Sequence, residues 1–311
     1  MAKKMIVHAG WHKTGSTSIQ KWCVQNYHVL RENGILYPMD EHLLWDGHHR
    51  LAREFSNRHT GCDTKINVPA IIEDYKKEAG NTLFLSSEEF EFIPERGIRS
   101  LVGMAGQVEV KVLIFLRNII DYLLADYQQN VRMETTKYRH DIYRFSFQYN
   151  AYAKMNYLPL LQKWAAVLGA DAVDLIRYEK ASGSVISQLK KYLQLCDVDT
   201  KDDDKRANPS LQAVSLRVLQ EINRTGDVPE REEIIRRLYE LEASDDQSYS
   251  VLDSELAEAF LKRIAAPTRR AAEIFGIEAD YLLANPVVHK LHVDGSSWRE
   301  RFEAVRQEFR F

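Results

Sequence analysis

Cysteine is scarce in this chain and forms no pattern: Cys23, Cys62 and Cys196 are odd in number, far apart and without a C-x-x-C pair. That excludes a disulfide framework and a zinc site of the usual spacing, and it points to a reducing, cytoplasmic setting. A long apolar run is missing too. Met5 to Ala9, behind the MAKK start, is too short for a signal sequence or a membrane span, and nothing later reaches that length. An excess of charge of one sign is also lacking. Lys and Arg total 42 against 45 Asp and Glu, a formal net charge of -3, so nucleic acid is not an expected partner and any anion site has to be local. No internal repeat or low-complexity tract appears. What remains is 311 residues with 45% hydrophobic content, enough to bury a core of ordinary size.

Four short apolar segments read as strands: Met5 to Ala9, Thr82 to Leu85, Val110 to Leu116 and Asp174 to Arg177. Helical patterns alternate with them at Ser16 to Arg31, Pro94 to Val102, Ile119 to Met133, Tyr157 to Leu168 and Ser184 to Leu195. Strand and helix in alternation predict an α/β fold, with an open, P-loop-like parallel sheet flanked by helices and ligands at the carboxyl ends of the strands. Near Asp197 the character changes to a charged, turn-rich segment. Beyond it only helical periodicity is legible, at Leu211 to Asn223, Glu230 to Ala243, Leu252 to Phe275 and Trp298 to Phe311. The expected organisation is an α/β core over 1–200 and a helical C-terminal extension over 201–311, packed on the same domain.

The segment after the first strand carries the chemistry. Gly10-Trp11-His12-Lys13-Thr14-Gly15-Ser16-Thr17-Ser18 is bounded by glycine and ends in three hydroxyl residues at a helix start. Glycines let backbone N–H groups converge, the helix end adds partial positive charge, hydroxyls donate from the side and Lys13 supplies a full charge, which together describe an anion site. It is not a Walker A loop, because Gly15 is followed by Ser16 and the lysine stands two residues earlier. Trp11 and His12 read equally as substrate-facing or as a packed Trp and a solvated His. The loop by itself leaves kinase chemistry open.

Lys13-Thr14-Gly15-Ser16-Thr17-Ser18 resembles the K-[ST]-G-[ST]-[ST] loop with which sulfotransferases grip the 5′-phosphosulfate of 3′-phosphoadenosine 5′-phosphosulfate. The family's second element is a strand ending in Arg with a Ser two helical turns later, binding the 3′-phosphate. Arg117 fits it, whereas Ala125 stands where the family has Ser. The loss of one neutral hydrogen bond, about 0.5 to 1.5 kcal/mol, leaves Arg117 to carry that contact. Tyr127, Gln128 and Gln129 are candidate substitutes for the missing hydroxyl.

Further stretches resemble the family in the same order. They are Asn33 to Pro38, Leu85 to Phe90, Ile176-Arg177-Tyr178-Glu179, whose tyrosine is implied to lie near the adenosine, and Asn208-Pro209-Ser210-Leu211. The resemblance runs roughly from Met5 to Phe275 and is greatest to bacterial carbohydrate sulfotransferases.

It implies that the donor leaves as adenosine 3′,5′-bisphosphate and that no metal takes part. The acceptor would be a small molecule or glycan presenting a hydroxyl or amine, with peripheral membrane contact if that acceptor is lipid-linked. Lys13 would stabilise the leaving phosphate, aided by Ser16 to Ser18. The base would be Glu88, with Glu89 as its rival and His49, in a G-H-H-x-L-A segment, as the alternative. His42, His48, His49 and His59 cluster in sequence, but the adjacent His48-His49 pair argues against a shared metal. Tyr138, Arg139, His140, Tyr143, Arg144, Tyr149 and Tyr152 read as an acceptor cleft or as core. Lys205-Arg206, beside three aspartates, reads as a solvated linker. The competing functions are a P-loop-type small-molecule kinase, disfavoured because no clear Walker B aspartate ends a strand, and a non-catalytic donor-binding protein of the same fold.

Overall fold

The computed structural model describes residues 3–56, 67–148, 151–179, 185–201, 210–226, 228, 230–293 and 297–311. Cys62, His59, Tyr149, Lys205, Arg206 and Asn208 to Pro209 lie outside the described residues. By contacts the chain groups into two compact units, each drawn from three stretches. One comprises Met1–Arg117, Tyr157–Ala207 and Ala271–Ile277, and the other Asn118–Asn156, Asn208–Arg270 and Glu278–Phe311.

The first unit is built on a five-stranded parallel sheet. Its strands are β1 (Lys4–Ala9), β2 (Ile35–Leu36), β3 (Thr82–Ser87), β4 (Glu109–Leu116) and β5 (Val173–Arg177), in the order β2-β3-β1-β4-β5. The α/β architecture expected from the alternation is the one observed. Met5, Ile6, Val7 and Ala9 are all buried, as a central strand covered on both faces requires, and this is why β1 reads as a continuous apolar run. The chain builds out to β2 and β3 on one side of β1 before crossing to β4 and β5 on the other. The carboxyl ends of β1 and β4 therefore mark the topological switch point, where ligands of such sheets bind.

Helix α1 (Ser16–Gln25) directs Ile19, Trp22 and Cys23, spaced as one helical face, onto Ile6, Phe84, Leu113 and Phe115 of the sheet. The single helix expected over Ser16 to Arg31 is divided. Asn26 turns its side-chain amide onto the Trp22 carbonyl at 3.0 Å and accepts from the Lys201 amide at 2.8 Å, and a second helix follows at Tyr27–Glu32. A carboxamide that competes for backbone groups is a standard helix interrupter. The helices Glu95–Ala105 and Tyr157–Leu168 also belong to this unit and pack on each other.

In the second unit, the helices Ile119–Arg132 and Ser297–Phe309 both pack on Ala213–Thr225. Buried Arg231 donates to Asn223 Oδ1 at 2.6 Å, and Arg301 to Asp246 at 2.6 Å. The expectation of purely helical structure beyond Asp197 is corrected here. Tyr249–Ser250 and Leu291–His292 form a short parallel pair, too brief for period-two alternation to show in the sequence. Tyr138 is buried edge-on to Tyr127 and Phe145, so part of the aromatic stretch is core. Ala125 lies on Ile119–Arg132.

Candidate active site

The loop from Gly10 to Ser16 connects β1 to α1, and its backbone conformation follows from its sequence. Lys13 sits at φ 67 and Gly15 at φ 83, both left-handed, which swings the chain back onto the start of α1. A Cβ at Gly15 would also meet Val185 Cγ1 at 3.0 Å. The loop is braced from within. Thr14 is buried and its hydroxyl donates to the Trp11 carbonyl at 2.5 Å, while Trp11 packs against the Tyr157 ring with centroids 4.3 Å apart. Thr14 therefore holds the loop's shape. Ser16 is buried, Thr17 exposed and Ser18 half-buried, and α1 starts without a side-chain cap, so its first turn keeps the character of an anion site.

Arg117, at the end of β4, meets this loop directly: its Nη1 donates to the Lys13 carbonyl at 2.6 Å. The guanidinium lies over the Tyr178 ring at 5.2 Å, and Tyr178 itself is tied to the Leu116 carbonyl at 2.7 Å. The hydroxyl of Tyr157 accepts from the Arg117 amide at 3.0 Å and donates to the Arg117 carbonyl at 2.8 Å, which fixes the strand end. Arg117 Nε is buried with no partner among the described residues. A buried donor left over beside a lysine and an uncapped helix start is what a bound anion would satisfy. Lys13, Thr14, Gly15, Ser16, Thr17, Ser18, Arg117 and Tyr178 thus gather at one end of the sheet.

A short 3-10 turn at Glu88–Phe92 follows β3 and faces the same loop. Ser87 caps it, accepting from the Glu89 amide at 3.0 Å, and the Gly10 amide reaches the Ser87 carbonyl at 3.3 Å. Gln20 of α1 donates to Glu88 Oε2 at 3.0 Å. His49 Nδ1 lies 2.8 Å from Ser87 Oγ and 3.9 Å from the same Glu88 oxygen. The Glu88 carboxyl is held below its ordinary range: burial works against ionisation, but His49, its own backbone amide, the Gln20 amide and His12 outweigh it. Burial is also the largest influence on His49 and lowers it against the pull of Glu88 and Glu89. Glu89 points elsewhere, to Arg53 at 3.2 Å. The Glu88 side chain is 24% exposed and that of His49 only 4%, so of these two Glu88 is the one an incoming group can reach.

Two further histidines support this arrangement from below. His48 Nδ1 accepts from the Ser86 amide at 3.0 Å and Nε2 donates to the Pro38 carbonyl at 3.0 Å, while His8 Nδ1 lies 2.8 Å from Ser86 Oγ. Burial lowers His8 to about 4 and His48 to about 3. His48 and His49 thus face different partners, and among the described residues no three ligand-type side chains gather as a metal site. Gln20, His8, Tyr157 and the contact of His12 with Glu91 were not legible in the sequence. Each acts through a partner 40 or more residues away, and a single chain offers no signal for such pairings.

No family model matches the chain, and neither does any curated protein. Among solved structures it is similar to a crystal structure of a sulfotransferase from Alicyclobacillus acidocaldarius. The TM-score is 0.52 and the identity 14%, over 96% of this chain and 100% of that one. Likeness at that identity is likeness of fold. The chain shares the fold of that protein, and no helix among the described residues is long and apolar enough to cross a membrane.

Proposed function

We propose that the chain is a sulfotransferase. It takes 3′-phosphoadenosine 5′-phosphosulfate as donor and passes the sulfuryl group to a hydroxyl or amine of a saccharide-like acceptor. The observation that carries this reading is the 2.6 Å bond from Arg117 to the Lys13 carbonyl, which joins the strand-end arginine to the phosphate loop. A lysine in the braced loop and an arginine at the neighbouring strand end suit a ligand with phosphate at both ends of its nucleoside, whereas a kinase would need its lysine after Gly15.

Transfer of this kind is dominated by positioning and charge, because charge spreads over the moving group and gathers on the leaving phosphate. In this reading Lys13 neutralises the charge that grows on the bridging oxygen. Ser16 and the first-turn amides of α1 hold the phosphate, while Arg117 and Tyr178 hold the adenosine 3′-phosphate end. Glu88 takes the acceptor proton as the bond from the acceptor oxygen or nitrogen to sulfur forms and the donor's S–O bond breaks, and adenosine 3′,5′-bisphosphate leaves. Its accessibility and fixed Oε2 favour Glu88 over the buried His49 as base, with His49 then orienting the carboxylate.

The test is label transfer from radiolabelled donor to saccharide and phenolic acceptors. The proposal expects labelled product from wild type without added magnesium, and almost none from Glu88→Gln. Donor binding without transfer to any acceptor points instead to a non-catalytic donor-binding protein, and magnesium-dependent transfer from ATP to a kinase.

A further inference from the structure

His12 has a partner that the roles assigned so far leave unused. Its Nδ1 lies 2.8 Å from Glu91 Oε2, and its main-chain amide approaches the same oxygen at 3.4 Å. The ring also rests against Phe92, with centroids 5.6 Å apart. Its neighbours in the loop are fixed: Trp11 is buried against Tyr157, and the Thr14 hydroxyl ties back to the Trp11 carbonyl. An imidazole clamped at Nδ1 and by its own backbone has its free edge at Nε2, and this side chain is 36% exposed. Histidine arranged in this way, with a carboxylate on one nitrogen, offers the other to a ligand in a defined orientation.

His12 spans the phosphate loop and the turn carrying Glu88 and Glu91. The transferable group must lie between the donor phosphate and the base, so a side chain bridging those two elements is placed beside it. We propose that His12, clamped by Glu91, presents its Nε2–H to the sulfonate of the donor, as a third contact beside Lys13 and Arg117. This rests on the sulfotransferase reading and names the part of the donor that His12 recognises.

Charge agrees with the geometry. Of the four histidines around the loop and turn, burial lowers His8, His48 and His49. Burial also pulls His12 down, but the bond to Glu91 and the charges of Glu91, Glu88 and Glu89 outweigh it and raise the ring. Other ionisable groups stand close by. His49 opposes the charge on His12, Arg53 pairs with Glu89, and Lys163 donates to the Glu91 carbonyl. Loss of the His12 proton would remove a charge and leave a lone pair on Nε2 facing an anion, so the contact should fail as pH rises.

The experiment is calorimetric titration with the donor itself and with adenosine 3′,5′-bisphosphate, which lacks the sulfonate. Titrations are made at about pH 6 and about pH 9, either side of an ordinary imidazole. A charge-assisted hydrogen bond at a partly exposed position predicts that wild type prefers the sulfonated ligand by about tenfold at the lower pH, and loses that preference at the higher. His12→Gln loses it at both while keeping its affinity for the bisphosphate, which also verifies the variant's fold. Glu91→Gln loses it at a lower pH than wild type does. Lys163, brought to about 8 chiefly by burial, titrates in the same window, and Lys163→Gln should leave the pattern intact. Persistence of the preference and its pH dependence in His12→Gln, or their disappearance in Lys163→Gln alone, overturns the inference. Failure of wild type to bind either ligand overturns the donor reading instead.

Discussion

Neutral His48 makes two hydrogen bonds that a protonated ring could not both keep. Its Nδ1 accepts from the Ser86 amide, so a proton there would face an N–H group, and the ring is fully buried. The perturbation is acid. A base whose folded pKa lies below its unfolded value contributes stability that is fully present above the unfolded value. That stability is lost as pH falls toward the folded one, because the unfolded chain takes the proton first. For His48 the window runs from 6.5 down to about 3. Each pH unit inside it is worth about 1.4 kcal/mol, so lowering the pH from 6.5 to 5 removes about 2 kcal/mol. His8, lowered from 6.5 to about 4, removes a further 2 kcal/mol or so over the same interval. Together that is a large part of the roughly 5 to 15 kcal/mol that stabilises a typical protein.

The assay is urea unfolding at a series of pH values, comparing wild type with His48→Gln, whose amide can serve the same two partners without titrating. His12 is raised and opposes the trend in both proteins, so the comparison cancels it. His48→Gln should lose stability less steeply than wild type, by about 1 kcal/mol per pH unit on average between 6.5 and 5. Equal slopes would refute the reasoning.

Tyr157→Phe removes the hydroxyl that bonds both the amide and the carbonyl of Arg117, and should cost about 1 to 3 kcal/mol in the same urea assay. Gly47→Ala places a methyl 2.7 Å from His49 Nε2 and 2.8 Å from Gln20 Cδ, so about 1 to 3 kcal/mol of overpacking should lower the melting temperature. It should also slow turnover more than it weakens donor binding, since Gln20 holds Glu88. Glu88→Gln should lower kcat by roughly a hundredfold or more while donor affinity, read by calorimetry, stays near wild type.

The sheet was legible because its strands are covered on both faces, which leaves continuous apolar runs such as Met5 to Val7 and Val112 to Leu116. The loop at Lys13 stood out because glycines, hydroxyls and a lysine follow such a strand, and Arg117 stood out through the resemblance, which implies an arginine at a strand end; the fold brings the two together. The division at Asn26 was hidden, since it depends on Lys201, and the two-residue β2 is shorter than any periodic signal. Glu88 could be singled out but not separated from Glu89. Only the fold turns one toward Gln20 and the other toward Arg53. His12 read equally as substrate-facing or as solvated, because its partner Glu91 lies 79 residues away.

The central claim is tested most directly by titrating the protein with adenosine 3′,5′-bisphosphate and with adenosine 5′-monophosphate, in wild type, Lys13→Ala and Arg117→Ala. The account predicts tight binding that requires the 3′-phosphate and falls by at least about tenfold in each variant, the loss of a charge-assisted contact. Equal binding of the two nucleotides, or binding that neither substitution weakens, would contradict it.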